Sequence, residues 1–308
     1  MGRRQCTLDG KVAIVTGAAR GQGEAEARLF VAEGAKVMLT DVSPEGGAVA
    51  EALGDLAAFS QQDVGSTADW ERVVKATTQR FGRLDILVNN AAIYKMRSLL
   101  DTTDEEFDEI TRINQRGPFL GMRAVAPAMR AAGGGSIINI SSGAGLRGVR
   151  NVLAYATTKW AVRGMSKCAA LELAGDRIRV NSIHPGVIET PMLNHNPAAF
   201  NEAMVRATPI GRIGQPEDIA RMVLYLASDA AGQFHAEAKI GDAHVLFGNG
   251  YFCDPSMSAA IYIYVPDVDA TFKRAVSLGA KAIREPADST VRSDASIFSH
   301  RILLYGCA

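Results

Sequence analysis

The amino-acid sequence predicts an α/β protein whose first part is a doubly wound parallel sheet and whose end is an atypical βαββ-like extension. Two observations support this prediction. Short runs of β-branched residues, typical of strands buried on both faces, alternate with helical patterns over most of the chain. After about residue 232 the elements become shorter, and polar residues alternate with apolar ones.

The elements of the first part follow one another in regular βα order. Strands are predicted at Val12–Thr16, Lys36–Thr40, Ala57–Gln61, Leu84–Asn89, Ser136–Ser141 and Ile178–Ile183. Helices are predicted at Gly21–Glu33, Thr67–Phe81, Asp104–Ala131, Asn151–Ala174 and Pro216–Ser228. Thr190–Gly214 is longer than an ordinary connection, so it is either a lid over a site or a plain surface loop.

Composition excludes several classes of protein. The 308 residues, 47% hydrophobic and 21% charged, are typical of one large or two small globular domains. Because 33 basic residues balance 33 acidic ones, the net charge gives no reason to expect a nucleic-acid or membrane partner. No apolar run reaches the roughly 18 residues of a membrane span, and we expect a cytoplasmic protein. The four cysteines are too scattered for a zinc knuckle or a disulfide framework.

A glycine-rich turn follows the first strand and opens the first helix. It reads Thr16-Gly17-Ala18-Ala19-Arg20-Gly21-Gln22-Gly23. Glycines allow a tight turn and a close approach of the backbone to a pyrophosphate, which the N-terminus of the helix attracts. The pattern is that of a Rossmann-type dinucleotide site, although such a turn also occurs without a ligand.

The second strand indicates which dinucleotide would bind. Asp41 follows it, 18 residues after Gly23, where a carboxylate accepts hydrogen bonds from an adenosine ribose and repels a 2′-phosphate. Arg20 is a complication, since an arginine in the turn could pair with such a phosphate. We expect NAD, with NADP less favoured.

A second group of residues suits proton transfer. Tyr155 and Lys159 lie at positions i and i+4 near the start of a helix and therefore project from one face. An ammonium beside a phenol is expected to lower the pKa of the phenol towards the working pH. Ser142 follows a strand, at the edge where parallel strands open onto a crevice, and is a candidate to hold a substrate oxygen. Without further support, the tyrosine and lysine could be a surface pair.

These motifs occur together and in order with Asn89-Asn90-Ala91-Ala92, Asn114 and His184-Pro185-Gly186, and over about residues 8–232 the chain resembles the short-chain dehydrogenase/reductase family. The resemblance implies an NAD(P)-dependent oxidoreductase in which Tyr155 is the acid or base and Lys159 binds the nicotinamide ribose. Ser142 would orient the substrate, and Asn114 would hold a water in a proton relay. The other implied cofactor contacts are Asp63, Val64, Asn90, Ala91, Pro185, Gly186, Ile188 and Thr190.

The tail departs from that family, whose members usually end in a short seventh strand. From His235 onward it resembles part of a glyoxalase-like vicinal oxygen chelate domain. Alternatively, Ala243–Phe247 replace the missing strand, and the remainder is an appended unit. We predict a catalytic domain at residues 1–233 and a tail at 234–308. His235, Glu237, His244 and His300 are conceivable metal ligands, but without fixed spacing they predict no metal site.

Three functions follow from these patterns. The first is oxidation of a secondary alcohol or reduction of its ketone, with a cyclic or steroid-like substrate, because the motifs look closest to those of bacterial hydroxysteroid and cyclic-alcohol dehydrogenases. The second is a dinucleotide-binding protein whose altered end impairs turnover. The third is a glyoxalase-like metal-binding module in the tail. For the first function we expect a homo-oligomer, either a dimer or a tetramer.

Overall fold

The computed structural model describes residues 7–208 and 212–231, together with the backbone of four short strand segments at 237–238, 262–263, 281–282 and 302–305. Six strands form a parallel sheet in the order β3-β2-β1-β4-β5-β6. They are β1 (Val12–Thr16), β2 (Lys36–Asp41), β3 (Ala57–Gln61), β4 (Ile86–Asn89), β5 (Gly135–Ile140) and β6 (Ile178–Ile183). The Rossmann-type α/β fold predicted from the sequence is confirmed.

Helices cover both faces of this sheet. They are α1 (Gly21–Ala32), α2 (Gly46–Leu53), α3 (Thr67–Phe81), α4 (Asp104–Thr111), α5 (Gly117–Ala132), α6 (Leu153–Leu173), α7 (Ala198–Ala207) and α8 (Pro216–Ala227). Alternate residues of each strand pack on opposite sides: Ala13 and Val15 of β1 join the core under α1 and α8, whereas Ile14 joins the core under α3 and α5. This two-sided burial explains why the strands are continuous apolar runs.

The order of the strands positions the site. The chain moves outward from β1 through β2 to β3 and then returns to place β4 on the other side of β1. The carboxyl ends of β1 and β4 therefore border a crevice at which the direction of winding changes, and ligands of doubly wound sheets bind at such a point.

The predicted helix at Asp104–Ala131 is wrong in one respect, because a π-helical turn, Arg112–Arg116, divides it. The N–H of Gly117 donates to the carbonyl of Arg112, a spacing of five residues in place of four. Pro118 follows and has no N–H to donate to the carbonyl of Asn114, which helps to explain the break.

Helix α2 was not predicted from the sequence. Two of its eight residues are glycines, which are poor helix formers, so the sequence lacks a clear helical period there. The helix packs on β3 instead: a Cβ added at Gly46 would lie 2.4 Å from the ring of Phe59. Packing against the sheet therefore stabilises a segment whose intrinsic propensity is low.

The segment proposed as a lid contains a 3-10 turn, Pro191–His195, and α7. We call residues 190–208 the lid segment. It begins just after Ile188, which bridges to Gly214, so its two ends are held together at the base of α8.

The short strand segments of the tail are β7 (Glu237–Ala238), β8 (Tyr262–Ile263), β9 (Lys281–Ala282) and β10 (Ile302–Tyr305). β7 is parallel to β6, with Glu237 opposite Ser182. The other three pair antiparallel in the order β8-β10-β9. Ala243–Phe247, predicted as the last strand, lie outside the described residues, as do the side chains of the four conceivable metal ligands.

One acidic side chain is buried in the main core. Glu26 of α1 is fully buried, and neither carboxylate oxygen has a hydrogen-bond partner among the described residues. Burial raises the pKa of Glu26 well above its ordinary value of 4.5, because a charge in an apolar environment loses its hydration. The folded protein therefore holds this proton more tightly than the unfolded chain does.

We predict that Glu26→Gln removes a pH-dependent loss of stability. Because the folded pKa is raised, the stability attached to this proton is complete below about pH 4.5 and declines as the pH rises towards the folded pKa. Thermal melts at pH 5 and pH 8 should show similar midpoints for the two proteins at pH 5 and a higher midpoint for the variant at pH 8. Glu51→Gln, an exposed change on α2, is the control. Parallel pH profiles for wild type and Glu26→Gln would contradict the prediction.

Candidate active site

The glycine turn leaves no room for side chains. Gly17 and Gly21 have positive φ angles of 66° and 61°, a conformation that favours glycine. A Cβ at Gly23 would lie 2.3 Å from the carbonyl oxygen of Gly17, and one at Gly17 would lie 2.8 Å from the Cα of Ala91. The start of α1 can therefore pack directly on the end of β1, which leaves backbone N–H groups at the surface of the crevice.

The residues that follow β4 support this turn through Thr16, to which the sequence analysis gave no role of its own. The hydroxyl of Thr16 accepts hydrogen bonds from the backbone N–H groups of Asn90 and Ala91, both at 3.0 Å. The side-chain amide of Asn90 donates to the carbonyl oxygen of Thr16 at 2.9 Å. Asn90 and Ala91 thus hold the turn in shape. A threonine between a buried strand and the first glycine was the available sequence signal.

Asp41 lies beside the turn, as predicted. One carboxylate oxygen accepts from the N–H of Ala19 at 3.1 Å and the other from the N–H of Ser43 at 2.9 Å. These bonds fix the carboxylate at the edge of the crevice, whereas Arg20 is exposed. A ribose with free hydroxyls would meet the acceptor here, and a 2′-phosphate would meet a like charge.

The residues of the turn fit a bound dinucleotide. Besides the tight glycine packing, the side-chain oxygen of Gln22 is shielded from solvent and has no hydrogen-bond partner among the described residues. A buried acceptor without a partner is costly. A ligand bound at the start of α1 could supply the missing donor, so Gln22 is a reasonable contact for the cofactor.

Asp63 and Val64, implied to flank an adenine, lie at the end of β3, where Asp63 is already engaged. Its carboxylate pairs with Arg112 at 2.6 Å and accepts from the N–H of Gly65 at 2.8 Å. Val64 is buried, and its carbonyl accepts from the Trp70 indole. Arg112, which the sequence analysis missed, therefore ties this loop to the π turn.

Ser142, Tyr155 and Lys159 come together at the carboxyl end of β5. The side chain of Ser142 lies close enough to the phenol of Tyr155 to lower its pKa. The Nζ of Lys159 lies 5.5 Å from the centre of the Tyr155 ring and donates to the carbonyl of Ile140 at 2.8 Å. One oxygen of a substrate can therefore meet two hydroxyl groups beside a buried amine.

The pKa of Tyr155 differs from the expectation. The pKa is raised to about 12, mainly by burial and to a smaller extent by the nearby Tyr94, while the side chain of Ser142 acts in the opposite direction. The sequence analysis expected a lowered pKa for Tyr155, and the net shift is in the opposite direction. Burial also lowers the pKa of Lys159, to about 8, because its amine is shielded from water.

Asn114 lies in the π turn and is buried. Its side-chain oxygen accepts from the N–H of Ile93, and its amide donates to the carbonyl of Ile93, both at 2.8 Å. The side chain therefore holds the loop after β4. The backbone carbonyl of Asn114 lacks its α-helical partner, because Pro118 has no N–H to donate.

The loop after β6 supports Ser142. His184 is fully buried, and its ring lies 3.0 Å from the hydroxyl of Ser182 and 3.2 Å from the carbonyl oxygen of Ser142. The carbonyl of Pro185 accepts from the N–H of Gly143 at 2.8 Å. His184 and Pro185 therefore hold the backbone of Ser142 and Gly143 in place. Gly186 continues the chain towards the lid segment.

Thr190 brings the base of the lid segment to the glycine turn. A Cβ added at Gly21 would lie 3.5 Å from the methyl group of Thr190. Ile188, two residues earlier, is buried and takes part in the bridge to Gly214. Thr190 therefore lies against the glycine turn, and the contacts of both residues with a carboxamide stay predictions.

One wall of the site is apolar. Around Tyr155, the buried side chains are Ala144, Val152 and Ala156, with Tyr94, Met96 and Val149 packed against them. Within residues 7–208 and 212–231, no group of three or more histidine, cysteine or acidic side chains could hold a metal. None of the helices in the same residues has the length and apolarity that a membrane crossing requires.

The structure combines a doubly wound sheet, a glycine turn at its crevice, and a tyrosine and a lysine beside that crevice. This combination is typical of a dinucleotide-binding oxidoreductase. Comparison with known proteins supplies the family: the model described as enoyl-(acyl carrier protein) reductase matches residues 17–243. The chain belongs to the short-chain dehydrogenase/reductase family of oxidoreductases, which bind a nicotinamide cofactor.

Similar proteins act on related substrates. A 3-alpha-(or 20-beta)-hydroxysteroid dehydrogenase of Mycobacterium bovis is 46% identical over 223 residues, covering 72% of this chain and 84% of that protein. A trans-4-hydroxycyclohexanecarboxylate dehydrogenase of Sinomonas cyclohexanicum is 43% identical over 229 residues, covering 71% and 86%. The structure of a 3-ketoacyl-(acyl-carrier-protein) reductase from Brucella melitensis, complexed with NADH, matches with a TM-score of 0.71 and 35% identity, covering 74% of this chain and 95% of that one.

The family match ends at residue 243. The resemblance of the later residues to a glyoxalase-like domain has no support from these comparisons, and neither have the two alternative functions.

Proposed function

We propose that the protein interconverts a secondary alcohol and its ketone by hydride transfer, with a cyclic or steroid-like compound as substrate and NAD as cofactor. The observation that best supports this proposal is the meeting of Ser142, Tyr155 and Lys159 at the end of β5, beside an apolar wall. The polar groups can form hydrogen bonds with the reacting oxygen, and the apolar wall can pack against the carbon skeleton of the substrate.

The substrate oxygen is held by the hydroxyls of Ser142 and Tyr155. Because the side chain of Ser142 lies close to the phenol of Tyr155, one oxygen can bond to both with little rearrangement of the site. With its pKa raised to about 12, Tyr155 carries its proton at neutral pH and is ready to donate it to a ketone. A bound nicotinamide supplies the hydride for reduction and accepts it in oxidation.

Lys159 has two tasks in this proposal. Its pKa of about 8 keeps a positive charge at neutral pH, which favours the phenolate that forms when Tyr155 gives up its proton. It also reaches towards the hydroxyls of a nicotinamide ribose. The backbone carbonyl of Asn114 would hold the water that returns a proton to the lysine.

The substrate class follows from the wall and from the relatives. Alanine and valine side chains around Tyr155 offer no charge to a substrate, so a hydrocarbon ring is the preferred partner. The hydroxysteroid and hydroxycyclohexane dehydrogenases named above act, by their names, on rings that carry a secondary hydroxyl.

We also propose a homo-oligomer. Phe119 of α5 and Trp160 and Leu171 of α6 are large apolar side chains that are 45%, 46% and 79% exposed on the outer helical layer. Association of two copies through these helices would bury them. Sedimentation of the full chain should show a dimer or tetramer, and Trp160→Glu with Leu171→Glu should shift it to the monomer. A monomeric wild type would contradict this proposal.

Tyr155→Phe tests the reaction. The variant keeps the ring and loses the hydroxyl that exchanges the proton, so turnover of cyclohexanol or a 3-hydroxysteroid with NAD should fall by about 10²–10⁴-fold. NAD binding, measured by calorimetry, should change little. Thr157→Val removes a hydroxyl from the exposed face of the same helix turn and should keep full activity. Full turnover by Tyr155→Phe would overturn the assignment.

Asp41→Ala tests the choice of cofactor. The wild type should use NAD with higher kcat/KM than NADP, and the variant should narrow this preference by about tenfold or more, because the like charge beside the 2′-phosphate is lost. Glu45→Ala, which removes a nearby exposed carboxylate, is the control and should leave the ratio unchanged. Equal efficiencies of the two cofactors with the wild type would show that Arg20 outweighs Asp41.

A further inference from the structure

Tyr94, in the loop after β4, contacts the catalytic tyrosine. Its ring lies 5.1 Å from the ring of Tyr155, centre to centre, at an interplanar angle of 83°, which is a favourable edge-to-face geometry. It belongs to the apolar wall described above. Nothing in its sequence context distinguishes Tyr94 from an ordinary loop residue.

The hydroxyl of Tyr94 contacts the lid segment. It donates to the side-chain oxygen of Asn196 at 2.8 Å. The amide of Asn196 donates to the side-chain oxygen of Asn201 at 2.9 Å, and the amide of Asn201 donates to the carbonyl of Leu193 at 3.1 Å. Tyr94 therefore has two partners. Its ring contacts Tyr155, and its hydroxyl contacts a hydrogen-bonded network within the lid segment.

We propose that Tyr94 is a positioning residue that determines substrate size: it holds the lid segment at a fixed distance from Tyr155. The contact between Tyr94 and Asn196 is called the latch below. The inference rests on the proposed function, since it assumes that Tyr155 receives the reacting oxygen.

The latch limits the space available beside Tyr155. While the hydrogen bond is intact, Asn196 of the lid segment stays in contact with Tyr94, and the ring of Tyr94 packs on the ring of Tyr155. A single-ring alcohol needs less space beside Tyr155 than a skeleton of several fused rings does. In this proposal the larger skeleton displaces the lid segment and breaks the bond, which then leaves half-buried polar groups without partners. The latch therefore favours compact cyclic alcohols over steroid-sized ones.

The partners of Tyr94 are consistent with a contact that is stable yet reversible. Burial raises the pKa of Tyr94, so its hydroxyl remains a donor throughout the neutral range. Asn196 and Asn201 are uncharged, and a bond between neutral groups contributes modestly to stability. Such a bond can hold a segment closed and still open when a ligand enters.

The experiment compares Tyr94→Phe, Asn196→Ala and the double variant in the full chain. Tyr94→Phe keeps the ring against Tyr155 and removes only the donor. The kcat/KM values for cyclohexanol and for androsterone give a size preference. Each single variant should shift that preference towards androsterone by about three- to tenfold, mainly through KM. The double variant should shift it no further than the larger single change, because both remove the same bond.

The control is Thr208→Val, which removes a hydroxyl hydrogen bond to Met204 within the lid segment without touching Tyr94. It should leave the size preference unchanged. Additive effects of the two single variants, or an unchanged preference in both, would overturn the latch.

Hydrogen exchange distinguishes failure of the latch from failure of the proposed function. The amides of α7 should exchange faster in Tyr94→Phe and Asn196→Ala than in the wild type, without any substrate. If neither alcohol is turned over but α7 exchanges faster, the contact is supported and the proposed reaction fails. Unchanged exchange in both variants would overturn the latch whatever the substrate proves to be.

Discussion

The close contact between the start of α1 and the end of β1 is the constraint on which the rest of the site depends. Gly23 lies so near the carbonyl of Gly17 that no side chain is tolerated, and the hydroxyl of Thr16 fastens the same turn to β4. This contact sets the height of the helix N-terminus above the sheet. It also fixes where Ala19 binds Asp41, and hence the edge at which a ribose would be recognised.

Burial determines the chemistry on the other side of the crevice. Tyr155 and Lys159 are both withdrawn from water, so burial disfavours the charged form of each: the phenol keeps its proton, and the amine becomes easier to deprotonate. The two shifts bring the pKa of the lysine below that of the tyrosine. In the proposed reaction the phenol would therefore hold the proton that a ketone receives, and favouring the phenolate would require a positive charge close to the ring.

Much of the fold was predictable because it depends on local patterns. Strands buried on both faces are continuous apolar runs, and β1, β3 and β6 were predicted with the bounds that the structure gives. Helix α2 was missed because packing on Phe59, and not propensity, holds it. The π turn was missed because periodicity cannot distinguish a spacing of five residues from four over so short a stretch.

The site was predictable to the extent that its residues lie next to strand ends or at helical spacing. Gly17, Asp41, Ser142 and the Tyr155 and Lys159 pair meet that condition. Arg112 and Tyr94 do not meet that condition, because each contacts a residue that is distant in the sequence. Arg112 pairs with Asp63, 49 residues away, and Tyr94 bonds to Asn196, 102 residues away. Contacts between residues so far apart cannot be predicted from the local pattern of a single sequence.

The arrangement divides the site into a rigid half and an adjustable half. The cofactor side is built on β1, β2 and β4, with backbone and carboxylate contacts that close packing holds in place. The substrate side is bounded by the loops after β4 and β5 and by the lid segment, and a side-chain hydrogen bond from Tyr94 to Asn196 joins the loop after β4 to the lid segment. Such a division lets the substrate pocket change through a few loop residues while the geometry of hydride transfer, which depends on the rigid half, is preserved.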